Sequence, residues 1–309
     1  MPVPYRWALA ALAACFWCSP FARAVIVDGA NGTGSANTTG PFPVAGLNNV
    51  GIVQFNPAST GVYIGNGWAL TAAHIGPAQN FPGATFTVAG NNYTVASVVP
   101  VTNSDSSSAD LVAFKLSTTP SLPTLRLSTA SPTLTSDIYA MGDGLTRSAT
   151  MTLGSDGYAE YAESSPSVLR YGTSITSVPQ NLGVQTISTN GTTEVVNLGF
   201  GNTTVFTSTF TASTVTGFNT SSSLLSNGDS GGAVFGTNNT LLGINDFLST
   251  LSTPDNQNAN TAAYGDQSGY VDIATYESQI ASITGVPEPT TLALLVCGMP
   301  LLLRRRHLG

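Results

Sequence analysis

One serine, one histidine and one aspartate in this sequence sit in surroundings suited to a nucleophile, its base and the anchor of that base. A serine hydroxyl is a weak nucleophile until a neighbouring base removes its proton. Ser230 lies in Asn227-Gly228-Asp229-Ser230-Gly231-Gly232, where the glycines let the backbone bring two N–H groups toward one point. The N–H groups of Gly228 and Ser230 would form an oxyanion hole, in which one lost donor costs about 3–4 kcal/mol. Candidates for the base are few. Of the two histidines, His307 sits in the basic C-terminal run, which leaves His74 at the end of Trp68-Ala69-Leu70-Thr71-Ala72-Ala73-His74. An apolar strand that ends in small residues lets an imidazole stand at the edge of a cleft. Asp110 opens the apolar run Asp110-Leu111-Val112-Ala113-Phe114-Lys115-Leu116. There it can be half buried and accept the imidazole N–H, which sets tautomer and orientation. Asp105 lies among serines with no strand to position it, so Asp110 is the better anchor. The chemistry these three imply is hydrolysis through an acyl-enzyme.

Other chemistries fit less well. Gly228-Asp229-Ser230-Gly231-Gly232 satisfies the G-x-S-x-G elbow of α/β-hydrolases, but those enzymes place the histidine after the serine, and only His307 follows. Cys15 and Cys18 fall near the N-terminus and Cys297 near the C-terminus, so the body between has no cysteine and one histidine. Metal catalysis lacks ligands, and neither metal nor cofactor is expected. Between the two ends, only Lys115, Arg126, Arg147 and Arg170 are basic. A surface so poor in cations cannot neutralise phosphates, so nucleic acid is not an expected partner.

The elements that must position these residues read as strands. Charged residues are only 8% of the chain and hydrophobic ones 42%, with Ser, Thr, Asn and Gly filling the gap. Short β-rich runs recur at 51–55, 61–64, 84–88, 93–99 and 111–116. A second set follows at 138–141, 167–171, 184–188, 193–198, 204–211, 233–235 and 241–244. Turns rich in Gly, Asn, Pro and Ser separate them, a spacing typical of antiparallel sandwiches or barrels. Ser131-Pro132 marks a hinge between two β halves. One helix is expected over 270–283, with Ile273, Tyr276, Ile280 and Ile283 at helical steps.

Both ends read as addresses. Residues 1–24 combine Arg6, an apolar stretch from Trp7 to Trp17 and the small-residue site Ala22-Arg23-Ala24. That is the pattern of a secretory signal cut after Ala24. At the other end stand Val286-Pro287-Glu288-Pro289, an apolar run from Thr290 to Leu303, and Arg304-Arg305-Arg306. Residues 286–309 thus resemble the PEP-CTERM sorting signal of Gram-negative bacteria. The leader implies signal peptidase as a processing partner, and the resemblance of the tail implies a membrane exosortase. It also implies a body outside the cytoplasm, in the cell envelope or beyond it, at least transiently anchored by the tail.

The three stretches around His74, Asp110 and Ser230, in that order, resemble the trypsin-like serine peptidases. Ser59-Thr60-Gly61 before the Trp68 strand, Gly142-Asp143-Gly144-Leu145-Thr146, Leu241-Leu242-Gly243-Ile244 and Ser268-Gly269-Tyr270 extend the likeness over most of residues 26–284. The resemblance implies an all-β fold of two antiparallel six-stranded barrels, about 25–131 and 132–270, with a C-terminal helix. It also implies protein or peptide substrates. It puts Leu224 at the base of the specificity pocket, where no carboxylate awaits an Arg or Lys side chain, and Asp246 in the strand beside that pocket. An apolar or small residue before the scissile bond follows. Ile75 and Ser226 stand where the family usually has cysteines, so packing alone must hold both barrels. Asp229 corresponds to the buried aspartate that pairs with a new N-terminal amine, and Ile26-Val27-Asp28-Gly29 resembles that N-terminus. Cleavage after Ala24 leaves Val25 in front of it, which calls for trimming or a one-residue shift in pairing. Asn245-Asp246-Phe247-Leu248 departs from the usual pocket strand. With the Ser/Thr/Asn-rich surface, that departure supports an alternative: a non-catalytic surface or matrix-binding protein on the same fold.

Overall fold

The computed structural model describes residues 25–28, 37–38, 42–55, 57–154, 159–164, 169–177, 187–188, 193–197, 199–212, 222–250, 257 and 261–286. The leader and, apart from Val286, the tail lie outside these residues, as do 167–168 and 184–186 of the strands expected at 167–171 and 184–188. Among the described residues no helix is long and apolar enough to cross a membrane.

The first element of the described residues is the short strand β1 (Ile26–Val27). Then β2 (Val50–Val53), β3 (Ser59–Gly65), β4 (Trp68–Thr71), β5 (Thr85–Val88), β6 (Asn91–Thr102) and β7 (Ser108–Leu116) close a barrel in the order β2-β3-β4-β7-β6-β5. Local chemistry explains its hairpins. Asn66 and Gly67 both adopt positive φ (51° and 76°), the conformation that a tight hairpin between β3 and β4 requires. β7 has two buried faces with strict alternation. Val112, Phe114 and Leu116 join Tyr63, Phe81 and Phe86 in one apolar cluster. Ala109, Leu111 and Ala113 join a second cluster that also holds Met141, Phe235, Ile244, Tyr276 and Ile280.

After β8 (Arg126–Leu127), the second half contains β9 (Asp137–Gly142), β10 (Thr146–Arg147), β11 (Thr152–Leu153), β12 (Ala159–Ser164) and β13 (Arg170–Ser177). It continues through β14 (Ile187–Ser188), β15 (Thr193–Asn197), β16 (Asn202–Thr209), β17 (Ser223–Leu224), β18 (Ala233–Gly236), β19 (Thr240–Ser249), β20 (Thr261–Ala263) and β21 (Gln267–Asp272). Six of these pair antiparallel in the order β13-β9-β18-β19-β21-β16. The β13–β16 pairing, Thr176 opposite Ser208 and Ser177 opposite Thr207, closes them into the second barrel. The expected fold of two six-stranded antiparallel barrels and a C-terminal helix is therefore what the chain adopts. The cluster that contains Leu111 takes side chains from both barrels and from the helix, so one continuous core welds the halves.

The helix α1 spans Ile273–Thr284 and not 270–283. Tyr270, Val271 and Asp272 are needed as the last ladder positions of β21 against β19 and β16. Ile273, Tyr276 and Ile280 are buried as expected, and Gly285 ends the helix in the left-handed conformation.

Candidate active site

Register brings the histidine and the aspartate together. In the antiparallel β4–β7 pair, Thr71 lies opposite Val112, so continuing the count past β4 sets Asp110 beside the turn Ala73–Ile75. There the His74 backbone N–H donates to Asp110 Oδ1 at 2.8 Å, and His74 Nδ1 lies 2.7 Å from Asp110 Oδ2. Asp110 donates its own N–H to Thr203 Oγ1, a tie across to the second barrel. Burial pushes the Asp110 carboxyl up. The hydrogen bond from the His74 ring, the charge of that ring and the His74 N–H outweigh burial and hold the group below its ordinary range.

Ser230 arrives from the second barrel, on the turn between β17 and β18. Its Oγ lies 2.7 Å from His74 Nε2. Thr60 of β3 fastens this turn to the first barrel. Its N–H donates to the Ser230 carbonyl and its hydroxyl to the Gly228 carbonyl. Gly231 has φ +84°, and a Cβ there would stand 1.9 Å from Thr71 Oγ1 and 2.1 Å from the Thr60 carbonyl oxygen. Only glycine allows this close approach.

The predicted oxyanion donors have the right freedom. Among the described residues, neither the Gly228 nor the Ser230 N–H donates to a backbone carbonyl. Leu145 N–H holds the Asn227 carbonyl. In a planar trans peptide this turns the Gly228 N–H the opposite way.

Asp229 points into the protein. Its Oδ1 accepts the Gly144 N–H and its Oδ2 the N–H of Ser226, each at 2.7 Å. Burial raises its carboxyl to about 7, opposed by the Ser226 and Gly144 N–H groups, the Ser226 hydroxyl and the positive charge of Arg170. Sequence reasoning counted Arg170 among the basic residues but did not place it near Asp229; it is almost fully buried, and burial lowers it to about 10. A lone arginine opening an otherwise uncharged stretch, Arg170 to Ser177, was the available signal. β1 lies close by in the ladder. Ile26 pairs with Leu224 and Val27 with Ser223. Arg147 Nε donates to the Val27 carbonyl, and Val25 is fully buried in one cluster with Leu225.

Glu163 is a second acid of this region. Burial, with Asp229 and Asp266 adding like charge, lifts it to about 8. A carboxyl raised in the folded state contributes stability that is complete below the unfolded value near 4.5 and is lost as pH rises through about 8. We therefore expect the melting temperature to fall between pH 5 and pH 9, and Glu163→Gln to flatten that fall by roughly 5 °C or more, at about 1.4 kcal/mol per unit and 2–4 °C per kcal/mol. Scanning calorimetry across that range measures it. Equal slopes in both proteins would refute the assignment.

Beside Ser230 opens a cavity of about 310 Å³, lined by His74, Leu225, Ser226, Asn227, Asp246, Phe247 and Leu248. Leu224 is not in this lining. It is buried in a cluster with Ile26, Phe210 and Ala262, against which Leu248 packs. Leu224 thus belongs to a cluster that the lining residue Leu248 packs against, and its neighbour Leu225 is the one that reaches the lining. Asp246 is in the lining, but its side chain is buried 3.6 Å from His74 Nδ1 and interacts with Asp110. The donor atoms of His74, Asp110 and Asp246 lie within 4.8 Å of one another. Both imidazole nitrogens are already engaged, one by Asp110 and the other by Ser230. A further residue that the sequence did not reveal is Phe200, half exposed, whose ring lies 5.5 Å from the His74 ring. An aromatic between two glycines, Gly199-Phe200-Gly201, was its only local sign.

A family model described as Trypsin matches residues 31–265. No curated protein matches the chain. Among solved structures, a variant of human heparin binding protein (CAP37) superposes with a TM-score of 0.50 at 14% identity, covering 82% of this chain and 97% of that one. Neuropsin, a serine protease of mouse brain, gives 0.49 at 16% identity, covering 80% and 97%. The active form of the Rv3671c protease of M. tuberculosis gives 0.45 at 14% identity, covering 79% and 84%. At such identities the likeness concerns the fold.

Proposed function

Because this chain belongs to the trypsin family, we propose that it is an exported serine endopeptidase that cleaves protein or peptide substrates through His74, Asp110 and Ser230. The observation that carries this reading is the unbroken line Ser230 Oγ, His74 Nε2, His74 Nδ1, Asp110 Oδ2, with 2.7 Å at each junction. In the proposed reaction His74 Nε2 takes the Ser230 proton as Oγ attacks the scissile carbonyl. The negative charge that develops on the carbonyl oxygen is met by the Gly228 and Ser230 N–H groups. His74 returns the proton to the leaving amine, and water, activated by the same nitrogen, releases the acyl group from Ser230.

The cavity beside Ser230 supports a substrate residue that is apolar or small. Leu225, Phe247 and Leu248 give apolar walls, Ser226 and Asn227 neutral polar ones, and the carboxyl of Asp246 is turned to Asp110. The pairing of β1 favours the one-residue shift over trimming. With Ile26 already opposite Leu224, an amine on Val25 would lie level with Leu225, next to the Ser226 N–H that Asp229 accepts. In this reading Asp229 takes that amine as a partner beside Arg170. The address patterns support the rest of the proposal. Signal peptidase removes 1–24, an exosortase handles 286–309, and the peptidase domain 25–284 resides in the envelope or outside a Gram-negative cell.

Two measurements test the triad, the N-terminus and the pocket. A fluorophosphonate probe is expected to label Ser230 in the protein, to fail with His74→Ala, and the labelled form is expected to begin at Val25. Chromogenic peptides ending in Ala or Phe should be cleaved at least about tenfold faster than the Lys peptide, the discrimination an apolar pocket can supply. Lack of labelling would favour the non-catalytic binding protein, and a clear Lys preference would overturn the pocket reading.

A further inference from the structure

We propose that Asp246 is a positioning residue that holds a proton near neutral pH and donates it in a hydrogen bond to Asp110, so that the two carboxyls together carry one negative charge. This rests on the peptidase reading above.

The argument starts from the strand. In the β19–β21 ladder Asn245 lies opposite Tyr270 and Phe247 opposite Gly269, which leaves Asp246 as the extra residue of a bulge. The bulge turns the Asp246 side chain inward, where it has no solvent exposure. Among the described residues no N–H or O–H group donates to either Asp246 oxygen. The groups that face it are Asp110 from β7, His74 from the turn after β4, and the Tyr276 phenol of α1. The Tyr276 hydroxyl is committed elsewhere, to Asn103 Oδ1 and the Thr204 N–H. His74 Nδ1 is committed to Asp110.

Two carboxyls whose oxygens lie within 4.8 Å of one another, one of them fully buried with no donor of its own, need one proton between them. Asp110 already accepts two N–H donors from His74, so its charge is the better supported and the proton belongs on Asp246. Burial, then the charge of Asp110 and the hydrogen bond between them, drive Asp246 well above the usual carboxylate range. With the proton in place, Asp110 takes three donors and is held square to the imidazole. One negative charge then matches the one positive charge that His74 gains during catalysis. At alkaline pH the proton leaves, the contact turns repulsive and the alignment is lost.

Two measurements on the full chain test this. In infrared difference spectra near neutral pH, wild type minus Asp246→Asn is expected to show the carbonyl stretch of a protonated carboxylic acid. A difference with only ionised carboxylate bands overturns the proposal. In peptide hydrolysis, Asp246→Ala is expected to lower kcat about tenfold to a hundredfold with KM little changed, the size of one lost hydrogen bond to a charged group. Asp246→Asn, which keeps an N–H donor, should recover most of that loss and lack the alkaline fall of the wild-type kcat. An Ala variant as fast as wild type, or an Asn variant that keeps the alkaline fall, overturns the proposal. The infrared signal needs no turnover. If it is present while hydrolysis is absent, the peptidase reading alone has failed.

Discussion

Replacing Ser230 or His74 by alanine is expected to cut kcat about a millionfold, and replacing both is expected to cost little more. The reason is the geometry of the shared proton. Ser230 Oγ is 2.7 Å from His74 Nε2, and no other described histidine exists to act as its base. Without the imidazole the hydroxyl stays protonated at neutral pH. Without the hydroxyl the imidazole has nothing to activate but water. Each partner is useless alone, so the two losses do not add. Peptide KM should barely move, because the cavity walls and the Gly228 and Ser230 N–H groups remain. Burst and steady-state kinetics on an Ala or Phe peptide measure this. A double variant a further thousandfold slower than either single one would show that the two act independently and would remove the coupled-proton argument.

Asp110→Asn should lower kcat by about 10⁴, the cost of a wrong tautomer in a Ser–His–Asp site. Here the coordinates give the reason atom by atom. Oδ1 accepts the His74 backbone N–H, and Oδ2 faces His74 Nδ1. An asparagine that keeps its oxygen on the backbone N–H must present its NH₂ group to Nδ1. The imidazole then carries its proton on Nε2, the nitrogen that should receive the serine proton. The flipped amide fares no better, since it sets NH₂ against the backbone N–H. The variant should remain folded, because size and buried shape are preserved, and circular dichroism and melting would check that. Activity within about tenfold of wild type would mean that the Asp110 charge and acceptor geometry do not govern the His74 tautomer.

The pieces of the site that were legible beforehand share one property: their signals are local. Small residues before His74, an apolar run after Asp110 and glycines around Ser230 each mark a strand end or a tight turn within six or seven residues. Strand alternation in β7 was equally local, and the two barrels and the helix followed from it with the family resemblance. The helix start was misplaced by three residues because Tyr270 to Asp272 suit either state by pattern. A ladder between β19 and β16, distant in sequence, claimed them for a strand.

What the amino-acid order determined alone, then, was which chemistry is available in the body between the two ends: one imidazole, one serine between glycines, no thiol and scarcely any cation. Residue type and short-range backbone preference suffice for that. Tertiary structure alone decided the surroundings that each carboxyl meets. Asp110, Asp229 and Asp246 are the same side chain, set apart by register, by the β19 bulge and by Arg170 arriving from β13. A carboxyl's charge depends on desolvation and on neighbours within a few ångströms, and those neighbours lie 36 residues away along the chain for Asp110–His74 and farther still for Asp229–Arg170 and Asp246–Asp110. Pairing at such range is set by the closed barrels and not by any stretch of sequence.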